Sequence, residues 1–192
     1  MSKISLDLNV FPYAIPAMPV TMVGTNVNDK PNFMTVAWHG VANADPLMIA
    51  VAIRPHRYTY KGIKQNMTFS LNVPSTDHIK ETDYCGIFSG EKVDKVDVCK
   101  FAVFYGKLET APMIEQCPVN IECKVAHILT LGTHAFVIGS IEAVHVSEKC
   151  MSGGKPDAEK IKPFLYVLGT AREYKSLGGH LAEAYTVGKE LR

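Results

Sequence analysis

The sequence predicts a mainly β protein whose body is an antiparallel barrel. Residues 119–125, VNIECKV, alternate between apolar side chains on one face and Asn120, Glu122 and Lys124 on the other, which is the period of a half-buried antiparallel strand. Further β-rich runs are FMTVAWHGVA, LMIAVAI, FSLNV and HAFVIGSIEAVHV. Many connections between these runs are too short for parallel crossovers, which favours antiparallel pairing.

Three segments predict peripheral helices. YTYKGIKQN follows Pro55, and STDHIKETDYCGIF begins with the N-cap candidates Ser75 and Thr76. The tail, EYKSLGGHLAEAYTVGKEL, carries apolar residues at helical spacing. We therefore expect a C-terminal helix with one face on the barrel or on a second subunit.

The length of 192 residues predicts one domain that spans 1–192. Its body covers about residues 10–147. Gly153, Gly154 and Pro156 predict a surface loop at 148–160, and residues 161–192 form the predicted helical tail.

Composition narrows the classes of partner and compartment. A hydrophobic content of 47% and a net charge of +1 are typical of a globular protein and predict no nucleic-acid partner. The sequence has no apolar stretch of roughly 20 residues and no signal-peptide pattern at its start, which predicts no membrane partner and a cytoplasmic location. Five cysteines without a CxxC motif predict reduced thiols, and the spacing of the seven histidines predicts no metal site.

Two runs of small side chains predict a shallow slot. In IAVAI, residues 49–53, one face carries Ile and Val while the other carries only Ala50 and Ala52. The run NFMTVAWHG, residues 32–40, mixes small residues with backbone donors. If these strands are neighbours, a planar group could lie on them.

Cationic residues stand at the mouth of this slot. Arg54 ends the strand, and after the break at Pro55 come Arg57, Tyr58 and Thr59 at a predicted helix start. A helix N-terminus and an arginine fork both suit a phosphate, so slot and mouth together predict a mononucleotide-like cofactor. The alternative is a pair of surface arginines beside an ordinary turn.

The order of three segments carries a family resemblance. NFMTVAW, DPLMIAVAIRPHRYTYKGIKQNMTFSLNVPS and CGIFSGEKVDK follow one another, and in this the chain resembles the flavin reductase-like family, most closely its flavoredoxin-type members. The matching motif residues are Asn32, Thr35, Ala37 and Trp38, then Arg54 and Thr59, then Ser89, Gly90, Asp94 and Lys95. The resemblance lies in the ensemble, since each piece alone is a weak pattern.

The resemblance implies a Greek-key split β-barrel that binds FMN noncovalently at a homodimer interface. The backbone of residues 34–38 and 51–53 would hold the ring, Arg54 and the helix start would hold the phosphate, and Ser89 and Lys95 would lie near the phosphate or ribityl chain. The cofactor-binding residues implied in this way are Asn32, Met34, Thr35, Val36, Ala37, Trp38, Val51, Ala52, Ile53, Arg54, Tyr58, Thr59, Ser89 and Lys95.

The implied function is an oxidoreductase that passes reducing equivalents from NAD(P)H or a redox protein partner through FMN. Alternatives are a non-catalytic FMN-based electron carrier and a flavin- or haem-binding module. The chain has no G-x-G-x-x-G motif, so a nicotinamide donor would bind transiently over the flavin. Trp38 would either edge the flavin or pack in the core or at an interface. Because no second cysteine is nearby in sequence, Cys85 is interpreted as a buried small residue and not a redox thiol.

Overall fold

The computed structural model describes residues 2–9, 14–168 and 171–191, and within these ranges it contains fourteen strands and four α-helices. The strands are β1 (Ala17–Pro19), β2 (Thr21–Val27), β3 (Lys30–Val36), β4 (His39–Ala44), β5 (Leu47–Ile53), β6 (Thr68–Val73), β7 (Val103–Phe104), β8 (Met113–Ile114), β9 (Val119–Leu131), β10 (His134–Val146), β11 (Met151–Ser152), β12 (Lys155–Pro156), β13 (Phe164–Leu168) and β14 (Arg172–Ser176). The helices are α1 (Tyr58–Asn66), α2 (Ile79–Ile87), α3 (Lys95–Cys99) and α4 (Ala158–Ile161). Short 3₁₀ helices occupy Thr76–His78, Glu148–Cys150 and Val187–Leu191.

Seven strands form one antiparallel sheet in the order β3-β2-β6-β9-β10-β5-β4. The sheet curls back on itself, since its two edge strands, β3 and β4, are joined by only two residues, 37 and 38. Its interior is filled by buried apolar side chains that include Val23, Val51, Phe69 and Leu71. The predicted mainly β, antiparallel fold is confirmed.

Strand β9 differs from its predicted half-buried pattern. Asn120 and Glu122 lie on the polar face of VNIECKV, yet both are buried. The chain between β7 and β9 covers them: the Asn120 amide donates to the Ile114 carbonyl at 2.9 Å, and the Leu108 N–H donates to Glu122 Oε2 at 2.7 Å. Buried polar groups with such partners are tolerated, so both faces of the strand are covered here.

The predicted C-terminal helix over the tail is wrong. Residues 172–176 form β14, which pairs with β13, and β13 pairs on its other side with β1. Tyr174 packs edge-on against Phe164, with ring centroids 5.4 Å apart. Cross-strand packing therefore overrides the weak helical spacing, and Gly178 and Gly179 further lower the helix propensity. Among residues 171–191 of the tail, only the short 3₁₀ helix Val187–Leu191 is helical.

Residues 148–160, predicted as a loop, contain more local structure than expected. They include the β11–β12 hairpin, whose turn residues Gly153 and Gly154 have φ values of 55° and 76°. Such backbone angles favour glycine. The hairpin is followed by the short helix α4, which Asp157 caps by accepting from the Glu159 N–H at 2.9 Å.

The other two predicted helices are confirmed. Helix α1 begins at Tyr58 after the Pro55 break and ends at Asn66, and Met67 follows in the left-handed conformation. Before α2, the Ser75 hydroxyl accepts from the Asp77 N–H at 3.2 Å, as an N-cap residue does. Within the described residues, none of the helices is long and apolar enough to cross a membrane.

Helix α1 is held against β2 by a close contact at Gly62. A Cβ at this position would lie 2.8 Å from methyl carbons of Thr25 and Val27, and closer still to the Asn26 carbonyl oxygen. At a solvent-exposed helix position, a Gly→Ala substitution would raise the free energy of unfolding by about 1 kcal/mol. Here we expect the free energy of unfolding to fall by about 1–3 kcal/mol because the helix must move away from the strand.

Urea denaturation of Gly62→Ala measures this change. Gly188→Ala is the matched control, because a Cβ there would meet no neighbour within 4 Å. An unchanged or raised midpoint for Gly62→Ala would show that α1 does not need this contact.

Candidate functional site

A cavity of about 590 Å³ lies where β3, the end of β5, α2 and the β13–β14 hairpin meet. Its volume is in the range of small-molecule sites. It brings together these predicted residues: Met34, Thr35, Val36, Ala37, Trp38, Ala52, Ile53 and Arg54. The prediction that these two strands are neighbours is wrong, since β3 and β5 do not pair in the sheet. The two segments of small side chains still line one cavity, because β3 leads through residues 37–38 into β4, which pairs with β5.

The walls of this cavity are tied together by short contacts. The Thr35 hydroxyl donates to the Thr82 carbonyl and so joins β3 to α2. Gly86 of α2 lies so near β3 that a Cβ on it would be 3.4 Å from the Thr35 Cβ. The close approach fixes the width of the cavity, because α2 cannot slide over β3 without breaking this packing.

Free backbone donors line the base of the cavity between β3 and β4. Within residues 2–9, 14–168 and 171–191, neither the Ala37 nor the Trp38 N–H donates to a protein acceptor. Backbone N–H groups are obligatory donors when water is excluded. They are therefore available to acceptor atoms on the edge of a planar ligand.

The other end of the cavity is cationic. Arg54 and Arg57 both line it, and Arg57 is the N-cap residue of α1, with extended backbone and no side-chain cap. The Tyr58 and Thr59 N–H groups have no backbone acceptor in the described chain. Two guanidinium groups and the positive end of a helix dipole are chemically suited to an anion.

A second cavity, of about 300 Å³, lies on the other side of the first turn of α1. The predicted residues Asn32, Tyr58 and Lys95 line it, together with Lys30 and Lys92. The Asn32 amide donates to the Thr59 hydroxyl at 2.8 Å, and both residues are buried. Asn32 and Thr59 therefore fix the start of α1 relative to β3.

Four predicted residues are placed differently from the rest, and one of them, Thr59, is buried and lines neither cavity. The Val51 side chain is fully buried in the barrel core and lines neither cavity. Ser89 also lies outside both cavities, and its hydroxyl accepts from the Glu91 N–H at 3.3 Å. The Lys95 ammonium is buried and donates to the Phe33 and Cys85 carbonyls, each at 2.8 Å. Burial lowers the pKa of Lys95 from its usual value.

The β13–β14 hairpin forms a cavity wall that sequence reasoning missed. It contributes Tyr166, Arg172, Glu173 and Tyr174. The Tyr174 hydroxyl donates to Asp83 of α2 at 2.8 Å, and burial together with this carboxylate raises the pKa of Tyr174. The pair joins the hairpin to α2 across the cavity. No local pattern marks this wall, because Tyr174 is the one aromatic residue in REYKS, residues 172–176.

Sequence reasoning also missed His134, which lies beside Trp38. Their ring centroids are 4.9 Å apart, and Trp38 is 45% exposed. Burial, and then the charges of Arg54 and His56, lowers the pKa of His134. No local pattern marks this residue, because it reaches the cavity through the pairing of β10 with β5.

Cys85 is buried, as the sequence predicts. Burial raises the pKa of its thiol to about 12, and Cys99, distant in sequence but adjacent in space, adds to the shift. A thiol with so high a pKa is a poor nucleophile. The buried-residue interpretation of Cys85 is therefore favoured.

Comparisons with known proteins agree with the fold and the motif order. The family model of the flavin reductase like domain matches residues 15–175. The crystal structure of flavoredoxin from Methanosarcina acetivorans is 42% identical to this chain, with a TM-score of 0.93 and full coverage of both chains. Flavoredoxin of Desulfovibrio vulgaris (Miyazaki F) is 34% identical, with a TM-score of 0.87, over 96% of this chain and 100% of that one.

A protein of Archaeoglobus fulgidus is 32% identical over 130 residues, which cover 67% of this chain and 72% of its own length. The matched residues 15–175 include both slot strands, the two arginines and nearly all of the β13–β14 hairpin. The resemblance inferred from the motifs is confirmed, and the chain belongs to the flavin reductase-like family.

Proposed function

We propose that this chain binds FMN noncovalently and passes reducing equivalents through it, from NAD(P)H or a redox protein, as a homodimer. The observation that carries the proposal is the 590 Å³ cavity, which joins a slot of small side chains to two arginines at a helix start. The slot end of the cavity suits a planar ring, and the arginine end suits a single phosphate. The family membership supports the same cofactor class.

The ring end of the cavity fits an isoalloxazine. Ala37 and Ala52 leave space beside the strands, while the free Ala37 and Trp38 N–H groups suit the carbonyl and nitrogen acceptors along the ring edge. Directional donors would fix the ring in one orientation. Trp38 and His134 would cover its exposed side.

The phosphate end fits a mononucleotide. Arg54 and Arg57 would pair with the phosphate oxygens, and the Tyr58 and Thr59 N–H groups would donate to them. The Asn32–Thr59 hydrogen bond holds these donors in place. Asn32 and Thr59 are thus positioning residues.

When bound, FMN supplies hydride and one-electron transfer, and the protein supplies orientation and electrostatics. The chain's own residues bind the ring edge, neutralise the phosphate and exclude water from part of the cavity. Tyr174 and Asp83 hold the hairpin wall against α2. The cationic mouth also attracts an anionic donor such as a nicotinamide dinucleotide.

Exposed apolar surface beside the cavity supports a homodimer. Trp38, Leu129 and Leu131 are 45%, 48% and 60% exposed, and strand β4 is an exposed edge of the seven-stranded sheet. A second copy would cover this surface and the open side of the cavity. Sedimentation of the FMN-loaded protein is expected to give a dimer, and a stable loaded monomer would contradict it.

An absorbance spectrum tests the cofactor and the reaction together. Protein incubated with FMN and then desalted should be yellow, and anaerobic NADH or NADPH should bleach it. Colourless protein after incubation would overturn the proposal. Bound flavin that only a ferredoxin-type donor reduces would assign the chain as an electron carrier instead.

A further inference from the structure

A third cavity, of about 240 Å³, lies far from the proposed flavin site. It is lined by Phe104, Glu115, Asn120, His145, Val146 and Ser147. His145 pairs with Asn120 at one end of the β9–β10 ribbon, whereas His134 of the flavin cavity lies at the other end. Eleven residues of strand separate the two histidines by roughly 35 Å. The cavity is therefore independent of the first site.

Asn120 lines this cavity and has an unpaired acceptor. The residue is 4% exposed, and its amide nitrogen donates to Asn72 Oδ1 at 2.8 Å and to the Ile114 carbonyl at 2.9 Å. In the described chain, Oδ1 of Asn120 accepts no hydrogen bond. The one solvent-inaccessible side-chain polar atom without a partner in these residues is Thr21 Oγ1. The Asn120 oxygen therefore reaches solvent, and the residue lines the cavity. A carbonyl oxygen of this kind can accept a hydrogen bond from a ligand N–H group.

His145 is held in the cavity wall by a buried carboxylate. Its Nε2 lies 2.7 Å from Oε1 of the fully buried Glu122. An ionised carboxylate only accepts, so Nε2 must carry the proton and donate it. The Phe104 ring stands edge-on to the imidazole, with centroids 5.8 Å apart, and gives the cavity an aromatic wall.

Glu115 and Ser147 complete an acceptor-rich lining. The Glu115 N–H donates to the Ala102 carbonyl, and the Ser147 N–H donates to the Pro118 carbonyl, both at 2.9 Å. These bonds fix the backbone at two sides of the cavity, while the Ser147 hydroxyl has no partner among the described residues. The described lining includes a carboxylate and an aromatic ring but neither lysine nor arginine.

We infer that this cavity is a second ligand site, for a small organic cation that carries N–H donors, such as a guanidinium or a primary ammonium group. Asn120 Oδ1, the Glu115 carboxylate and the Ser147 hydroxyl would accept its hydrogen bonds. Phe104 would contact its charge through a cation–π interaction. The inference does not depend on the proposed redox function.

Titration of ¹⁵N-labelled, FMN-loaded protein with methylguanidinium, followed by NMR, tests the site. We expect saturable shifts of the Asn120 side-chain amide and the Ser147 backbone amide at about millimolar ligand, as suits so small a molecule. Tetramethylammonium keeps the charge but has no N–H, and urea keeps the donors but has no charge. Both should bind markedly more weakly than methylguanidinium.

Two variants make the test specific. Glu115→Gln and Ser147→Ala should each weaken methylguanidinium binding by about threefold, since single exposed charges and hydroxyls contribute modestly. The control is Glu148→Gln, which removes a nearby charge that does not line the cavity. Equal binding of methylguanidinium and of an arginine with capped amino and carboxyl groups would support the inference and identify an arginine side chain of a peptide as the occupant. Absence of saturation, or equal binding of tetramethylammonium, would overturn the inference and leave a hydrated cavity.

Discussion

Replacement of both Arg54 and Arg57 by alanine is expected to weaken FMN binding by about a hundredfold. Each arginine lines the cavity beside the free N–H groups of α1, and a charge-assisted hydrogen bond contributes about 1.5–3 kcal/mol, or roughly tenfold or more for each residue. Quenching of FMN fluorescence on titration with apoprotein measures the affinity. High salt should weaken wild-type binding in the same direction.

Riboflavin separates this effect from damage to the ring site, because it lacks the phosphate. The double variant should bind riboflavin as tightly as the wild-type protein does. Lys61→Ala is the matched control, since it removes an exposed cation from the same helix outside the cavity. Unchanged FMN affinity in the double variant, or equal loss of FMN and riboflavin, would show that these arginines do not bind the phosphate.

The local parts of this site could be predicted from sequence. Alternation in IAVAI marks a strand with one small face, and Pro55 marks where that strand ends and α1 begins. Both signals act within a few residues, so no knowledge of distant neighbours is needed. Thr59 illustrates the limit: its position was predicted, but its burial against Asn32 was not.

The missed parts depend on contacts between distant segments. The tail residues Tyr174 and Leu177 fit a helical spacing, but β13 offers β14 a paired edge and aromatic neighbours. Likewise, alternation in VNIECKV predicts that Asn120 and Glu122 face solvent, because nothing local shows that residues 104–115 cover them. Strand patterns report which residues share a face, whereas burial of that face is decided by the rest of the chain.

Glu122→Ala is expected to lower the free energy of unfolding by about 3–5 kcal/mol. The side chain is fully buried and accepts hydrogen bonds from the Leu108 N–H and from His145 Nε2, both at 2.7 Å. Its removal leaves these donors without a partner and opens a gap beside Gly106, which packs against the carboxylate. Urea denaturation at pH 7 measures the loss. Glu142→Ala, an exposed control on the neighbouring strand, should change stability by less than about 0.5 kcal/mol.

The pH dependence of Glu122→Gln tests the charge separately from the packing. Burial alone would raise the pKa of this carboxyl, but the hydrogen bonds from His145 and from the Leu108 and Lys107 backbone together lower it below its usual value. A carboxyl with a lower pKa in the folded state stabilises the protein above the unfolded pKa, and this contribution is lost as the pH falls through the folded pKa. The difference in unfolding free energy between wild type and Glu122→Gln should therefore be largest near neutral pH and shrink below about pH 4. A difference that stays constant between pH 7 and pH 3 would mean that Glu122 stabilises the fold by its shape and hydrogen bonds, and that its charge contributes nothing.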